Sequence, residues 1–355
     1  MHSILELPET YRRLSPQARR RFDSIFSFSI DTGRMNVPAS MRPWVKKQFG
    51  SVKKVEQQPV LKITNHIMFE GALINKLRAD RPIHRGAGVT KQQLLDMAKN
   101  EPFADVRKNT PEDTFGRIVG LHEISASNVA KYDALHGLII FNKANPLEFT
   151  ERETIEHYKA AMAWIEAAQS EHPEAQYPLI GWNCLWKAGA SLVHGHLQVL
   201  IGRHEPYAAM HLWQEQSSEY RQRRHKSYWD ELYKVYESLD LATELRGIKV
   251  FASITPRKEK EIVLMTDCAD EVLFGVIYKV LKAFRAMGIE SFNVATMMAP
   301  GLPVLTRIVD RGKLSTHTTD IGIAELYLNQ SVIFSDPVKV WAKVKKRLNG
   351  SKKKH

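Results

Sequence analysis

The chain of 355 residues contains two cysteines, Cys184 and Cys268. So few exclude a disulfide framework and fit a reducing compartment. No Cys-x-x-Cys pair occurs, which removes the commonest source of closed zinc sites. No run approaches the roughly 18 to 20 apolar residues a membrane span needs. Residues 1–8 show no basic stretch followed by an apolar core, so a secretory signal is not expected. Low-complexity sequence is confined to the tail 350–355, which is expected to be disordered. The expectation is a cytoplasmic protein without a membrane partner.

What is present is ordinary in bulk and unusual in charge. Hydrophobic residues at 43% and charged residues at 25% suit a soluble globular chain, long enough for two domains or one duplicated unit. The net charge of +12 has two readings. One is a solvated basic surface, since residues 343–354 hold much of the excess. The other is attraction to polyanions, either phosphorylated small molecules or nucleic acid. Zinc-finger spacing, an aromatic RNA-binding signature and a helix-turn-helix pattern are all missing. Steering of nucleotides is therefore preferred to nucleic-acid binding.

Along the chain, the first 110 residues mix short helical pieces with proline and glycine and resist parsing. From there a pattern emerges. Residues 116–124 and 136–141 read as strands. Residues 150–153 form a capping box, and Ile155, Tyr158, Met162 and Ile165 at helical spacing carry a helix to about Gln169. Strands follow at 178–186 and 193–201. After a polar helical stretch at about 208–240 the order returns: strands at 249–254 and 261–265, a helix at 270–287, strands at 291–298 and 306–310. Strand, strand, helix, strand, strand appears twice, which suggests a duplication.

The most informative segment is Ala188-Gly-Ala-Ser-Leu-Val-His194-Gly-His196-Leu-Gln198. On a strand, His194, His196 and Gln198 share one face, while Gly195, Leu197, Val199 and Ile201 face a core. A polar row after a Gly/Ser turn reads as a working surface for phosphate chemistry. Imidazole suits the nucleophile's task, because near neutral pH much of it is unprotonated with one nitrogen free. His196, mid-row, is the expected nucleophile. The amide of Gln198 cannot titrate but can donate to a non-bridging phosphate oxygen. The turn Gly189, Ala190 and Ser191 offers backbone N–H groups and a hydroxyl, and Asn183 on the neighbouring strand is a second amide donor. The competing readings are an exposed His-x-His pair and a metal site. A closed zinc site would need two further ligands, and His122, His136, His204 and His211 show no ligand spacing. The second half has Phe292-Asn-Val-Ala-Thr at a place comparable to the row, which would make it catalytically degenerate.

This row, its turn and its strand context resemble the transferase branch of the histidine-triad superfamily. That branch contains galactose-1-phosphate uridylyltransferases, diadenosine tetraphosphate phosphorylases and ADP-glucose phosphorylases. The resemblance implies a covalent nucleotidyl-His196, an α-phosphate on Gln198 and further phosphates on Ser191, beside His194. The spacing from Asn183 to His196 is similar to that of the uridylyltransferases, where the asparagine contacts phosphate. Thr32-Gly-Arg, Pro38 and Arg42-Pro-Trp44 resemble an N-terminal segment whose arginine, here Arg42, reaches substrate phosphates. Ser127-Asn128-Val-Ala resembles a nucleoside-binding segment, which places Asn128 and Lys131 near the base. Residues 320–327 are similar to a sugar-contacting segment through Glu325. Zinc-bearing members use a Cys-x-x-Cys, another histidine and the first histidine of the row. Here the cysteine pair is missing and Asn145 stands at the other histidine's place, so no metal and no cofactor are expected.

The expectation is thus an α+β protein of two histidine-triad-like halves. Residues 1–115 form an N-terminal extension that completes the first half, and 116–205 the catalytic half. Residues 206–245 make a helical connection, and 246–349 the degenerate half. The expected activity is double-displacement transfer of a nucleoside monophosphate from a UDP-hexose type of NDP-sugar to a phosphorylated acceptor such as a sugar 1-phosphate. The alternatives are an ADP-sugar or diadenosine polyphosphate phosphorylase using inorganic phosphate, and a catalytically silent nucleotide-binding protein. A hydrolase is disfavoured, because no third histidine stands in the row to protonate a leaving group and activate water. The resemblance also implies a homodimer.

Overall fold

A computed structural model of the protein describes residues 1–84, 86–317 and 321–350. Thirteen strands are described in two sheets. In the first 120 residues these are β1 (Phe26–Arg34), β2 (Gln57–Asn65) and β3 (Glu70–Ile74). The middle of the chain supplies β4 (Glu123–Ser127), β5 (Leu135–Phe141), β6 (Tyr177–Cys184) and β7 (His196–Gly202). The rest are β8 (Ala242–Leu245), β9 (Ile248–Ala252), β10 (Ile262–Thr266), β11 (Phe292–Met297), β12 (Val304–Asp310) and β13 (Gln330–Ile333).

The larger sheet has the order β4-β5-β7-β6-β11-β12-β10-β9-β8, and every neighbouring pair is antiparallel. One face is covered by helices Glu151–Glu171, Glu271–Ala286 and Pro337–Asn349. Leu197, Val199 and Ile201 on β7 point into this side and are fully buried, each contributing roughly 1.5–3 kcal/mol. Trp164 lies so close over Gly137 that a Cβ there would come within 2.3 Å of the indole. On the same side Trp182 of β6 meets Phe141 and Phe292 edge-on.

The first helix starts where the sequence places it. Thr150 and Glu153 form a reciprocal capping box, satisfying two otherwise orphaned N–H donors. Asp270 caps the second.

The smaller sheet, β1-β2-β3-β13, comes from the stretch that resists sequence parsing together with a strand more than 250 residues later; β13 runs parallel to β3. It is tied to the large sheet by ion pairs. Arg307 of β12 donates to both oxygens of Glu70 on β3 (2.6 and 3.1 Å) and to both oxygens of Glu261 (2.8 and 2.9 Å). Helices Ala208–Arg224 and Tyr228–Ser238 fill the polar stretch, and Tyr236 stacks on Phe251 of β9.

Two sequence expectations shift. The strand expected at 116–124 begins only at Glu123. Residues 118–125 fold back on themselves instead, with Ser125 N–H to Ile118 O (2.8 Å) and Gly120 N–H to Glu123 O (3.0 Å). The segment Phe292–Thr296 lies in β11 beside β6, with Asn293 opposite Asn183, and not at a place comparable to the histidine row. The tail 351–355 and Asp320 lie outside the described residues.

Candidate active site

The site is built on the face of the large sheet opposite the three covering helices. Register puts Gln198 beside Leu138 of β5 on one side and Gly181 of β6 on the other. His196 pairs with Ile140, and the same register extended by two residues brings Asn183 alongside it. Gly181 in turn faces Ala295 of β11. These two small residues leave an open lane across the middle of the sheet: a Cβ on Gly181 would find nothing nearer than the Gln198 carbonyl at 3.9 Å.

His194 precedes β7, because the chain enters the strand only at His196. Its Nε2–H donates to the Phe141 carbonyl at 2.7 Å, and its buried Nδ1 has no partner among the described residues. The backbone carbonyl of His194 then accepts from Nδ1–H of His196 at 2.8 Å. A carbonyl can only accept, so the proton sits on Nδ1 and Nε2 keeps its lone pair. Burial holds the His196 ring below the ordinary histidine range, opposed by the hydrogen bond to His194 and by the charge of Glu101. A neutral, oriented imidazole with one bare nitrogen is what attack on phosphorus requires. Gly195 lets the chain pass between the two rings' backbones, since a Cβ there would lie 2.5 Å from the Phe141 ring.

The row is expected as a working surface, with an exposed His-x-His pair as a competing reading. Instead His194, His196 and Gln198 are all buried, at 6%, 6% and 9% exposure. The cover is Phe103, whose ring meets both imidazoles edge-on at 6.0 and 5.2 Å. It stands in a short 3-10 turn, Pro102–Asp105, and packs with Ala126, Leu138 and Ile140. Just before it, the carboxylate of Glu101 accepts from the backbone N–H groups of Val193 (2.7 Å) and His194 (2.8 Å). Sequence reasoning missed both residues, since no spacing links position 101 to position 194.

Asn293 is a further residue missed. The Arg311 guanidinium donates to its Oδ1, so its NH2 must face the other way, donating to Asn183 Oδ1 (2.7 Å) and Ala188 O (2.9 Å). This orients Asn183 with its own NH2 as the donating end. In the turn before the row, Gly189 is left-handed (φ 92°) and its N–H is used by Trp186 O, while Ala190 N–H reaches Leu185 O at 3.3 Å. Ser191 is exposed.

No protein-family model and no curated protein matches the sequence. Solved structures match the shape. An ADP-glucose phosphorylase from Arabidopsis thaliana, with bound ADP-glucose, aligns at a TM-score of 0.59 and 13% identity over 80% of this chain and 97% of that one. A galt-like protein from Arabidopsis thaliana gives 0.55 at 13% identity, over 75% and 95%. A uridylyltransferase gives 0.54 at 16% identity, over 68% and 89%. The chain shares its fold with these three structures.

Within this fold the remaining predicted residues separate. Asn128 and Lys131 gather around His136 on β5. The Asn128 side-chain amide is 3.1 Å from His136 Nε2, and Lys131 Nζ donates to Ser127 Oγ (2.7 Å) and His136 O (3.0 Å). Arg42 is exposed at the start of helix Arg42–Phe49, its Nε donating to Val37 O. Glu325 accepts from the N–H groups of Gly322 (3.0 Å) and Val332 (3.2 Å) and lies 3.6 Å from Lys258. Lys258 precedes β10, which lies four strands from β7, roughly 19 Å at about 4.8 Å per strand. Glu325 thus sits by the segment that leads into β10, apart from β7 in the strand order.

Asn145 accepts from Leu147 N–H at 3.1 Å and serves a turn. Among the described residues no three His, Cys, Asp or Glu side chains group as a metal site.

Proposed function

We propose that the protein is a nucleotidyltransferase working by double displacement through a nucleotidyl-His196 intermediate. The observation that carries the reading is the His196 ring itself, held by its Nδ1–H on the His194 carbonyl with Nε2 unprotonated. In the first step Nε2 attacks the α-phosphorus of the donor. A P–N bond forms, the bond to the bridging oxygen breaks, and the sugar 1-phosphate leaves as an anion. The cationic imidazole is steadied by the Nδ1–H···O bond. In the second step an oxygen of a phosphorylated acceptor attacks phosphorus, the P–N bond breaks and His196 is neutral again. No proton need move, so a third histidine is not required. Gln198 and the NH2 of Asn183 donate to the non-bridging oxygens, and Ser191 serves the phosphates beyond. Asn128 and Lys131 line the nucleoside end.

The donor proposed first is a UDP-hexose type of NDP-sugar, with a sugar 1-phosphate as acceptor. An ADP-sugar phosphorylase is the second reading, favoured by the ADP-glucose bound in the phosphorylase that shares the fold. Residues 116–205 and 246–349 are taken as two copies of one unit. Strand order supports this: β4-β5-β7-β6 is followed across the sheet by β11-β12-β10-β9, the same order reversed.

The test is intact-protein mass after incubation with UDP-glucose, ADP-glucose, GDP-mannose or diadenosine tetraphosphate, each without acceptor. One donor is expected to add a single nucleoside monophosphate, and its mass names the base. His196→Ala should carry no adduct. Gln198→Ala should form it about 10²-fold to 10³-fold more slowly, as for loss of an oxyanion donor. Turnover retained in His196→Ala would sink the mechanism.

A further inference from the structure

We propose that Glu101 is a positioning residue that sets the proton and orientation of the His196 imidazole through the backbone it clamps. This rests on the transfer reading above for its catalytic consequence, but not for its structural one.

The argument follows one chain of bonds. The Glu101 carboxylate accepts from two consecutive N–H groups, Val193 at 2.7 Å and His194 at 2.8 Å. Two charge-assisted bonds from one carboxylate fix the peptide planes on either side of Val193 far more firmly than neutral bonds would. The same stretch carries the His194 carbonyl, which takes Nδ1–H of His196 at 2.8 Å. The downstream side is held as well, with Gly195 N–H on Ala144 O at 2.9 Å and Phe141 N–H on Gly195 O at 2.9 Å. His194 to Gly195 is thus pinned from both ends before the strand ladder begins at His196. A loop residue 95 positions away in the chain thereby dictates which ring nitrogen of His196 is bare.

Phe103 completes the device. Two residues after Glu101, its ring closes over both imidazoles and excludes water from one side of the row. An ionised carboxylate this close raises the proton affinity of the two rings against the desolvation that lowers it. Among the described residues the charged or titratable groups facing His196 are Glu101, His194 and His136. Glu101 is the anion among them.

Glu101→Gln retains the shape but replaces one accepting oxygen by an NH2 that cannot receive an N–H. The measurement is nitrogen NMR of the imidazoles across pH, which needs no substrate. In the wild type His196 is expected as the single Nδ1–H tautomer. In Glu101→Gln a mixture of tautomers is expected, with the ring titrating at lower pH because a neighbouring negative charge is gone. Phe103→Leu, which loosens the cover but leaves the clamp, is expected to keep the tautomer. With an adduct-forming donor, Glu101→Gln should slow labelling roughly tenfold to hundredfold, as orienting partners of functional histidines do, with donor affinity little changed. An unchanged tautomer and titration in Glu101→Gln would overturn the proposal even if the variant melts earlier. Should Glu101→Gln not fold, Glu101→Asp, too short to reach both amides, decides by the same spectra. A wild type that forms no adduct from any donor would count against the transfer reading and leave the tautomer result standing.

Discussion

At the scale of single residues the histidine row was legible because period two needs no tertiary information: His196 and Gln198 fall on one face of β7 and Leu197, Val199 and Ile201 on the other. The environment of each polar group was not legible. His136 illustrates the point. It reads as an ordinary strand residue, yet burial, reinforced by Lys131, depresses it from 6.5 to about 4. Its contribution to stability therefore has a definite sign. Between pH 6.5 and about 4 the unfolded chain binds this proton and the folded chain does not, so stability is full above 6.5 and is lost as pH falls to 4. His194 and His196, lowered by burial, act in the same direction. Urea unfolding measured across that window should show stability rising with pH, with a shallower slope in His136→Gln. An equal slope in the variant would show that His136 is not held neutral.

At the scale of elements, local chemistry was a good guide where it closed on itself. Thr150 and Glu153 cap each other three residues apart, and the helix runs Glu151–Glu171 as the pattern requires. Thr150→Ala should cost about 1 kcal/mol, read as a lower urea midpoint with unchanged slope. A loss below a few tenths would mean that packing of Tyr158 and Trp164 alone sets the start of this helix. Elements whose ends depend on distant partners were misplaced. The apolar run after Gly116 looks like a strand, but Arg117 donates to Thr110 O and Ser125 O and turns the chain back. β7 starts three residues later than its sequence suggests, because the amides of Val193 and His194 are taken by Glu101 rather than by a neighbouring strand.

At the scale of the whole molecule, the two sheets are held together by a buried charge cluster rather than by apolar contact alone. Burial by itself would raise the Glu70 carboxyl, but Arg307 and Arg257 overcome that and hold it below the ordinary carboxylate range. Arg307→Met would leave Glu261 without its guanidinium partner and Glu70 with Arg257 alone, and should cost about 3–5 kcal/mol. A restoring effect of Glu70→Gln in the Arg307→Met background, seen in a double-mutant cycle, would confirm the coupling; strict additivity would deny it. The sequence by itself determined the two large helices, most strands of the larger sheet and the His-Gly-His-Leu-Gln row, because each is encoded in spacings shorter than about twenty residues. Only the tertiary structure decided that β13 pairs beside β3, that β6 meets β11 across Asn183 and Asn293, and that Glu101 and Phe103 close over the row. Such pairings depend on which surfaces are left unsatisfied once the local elements exist. That is a property of the assembled fold and leaves no periodic mark along the chain.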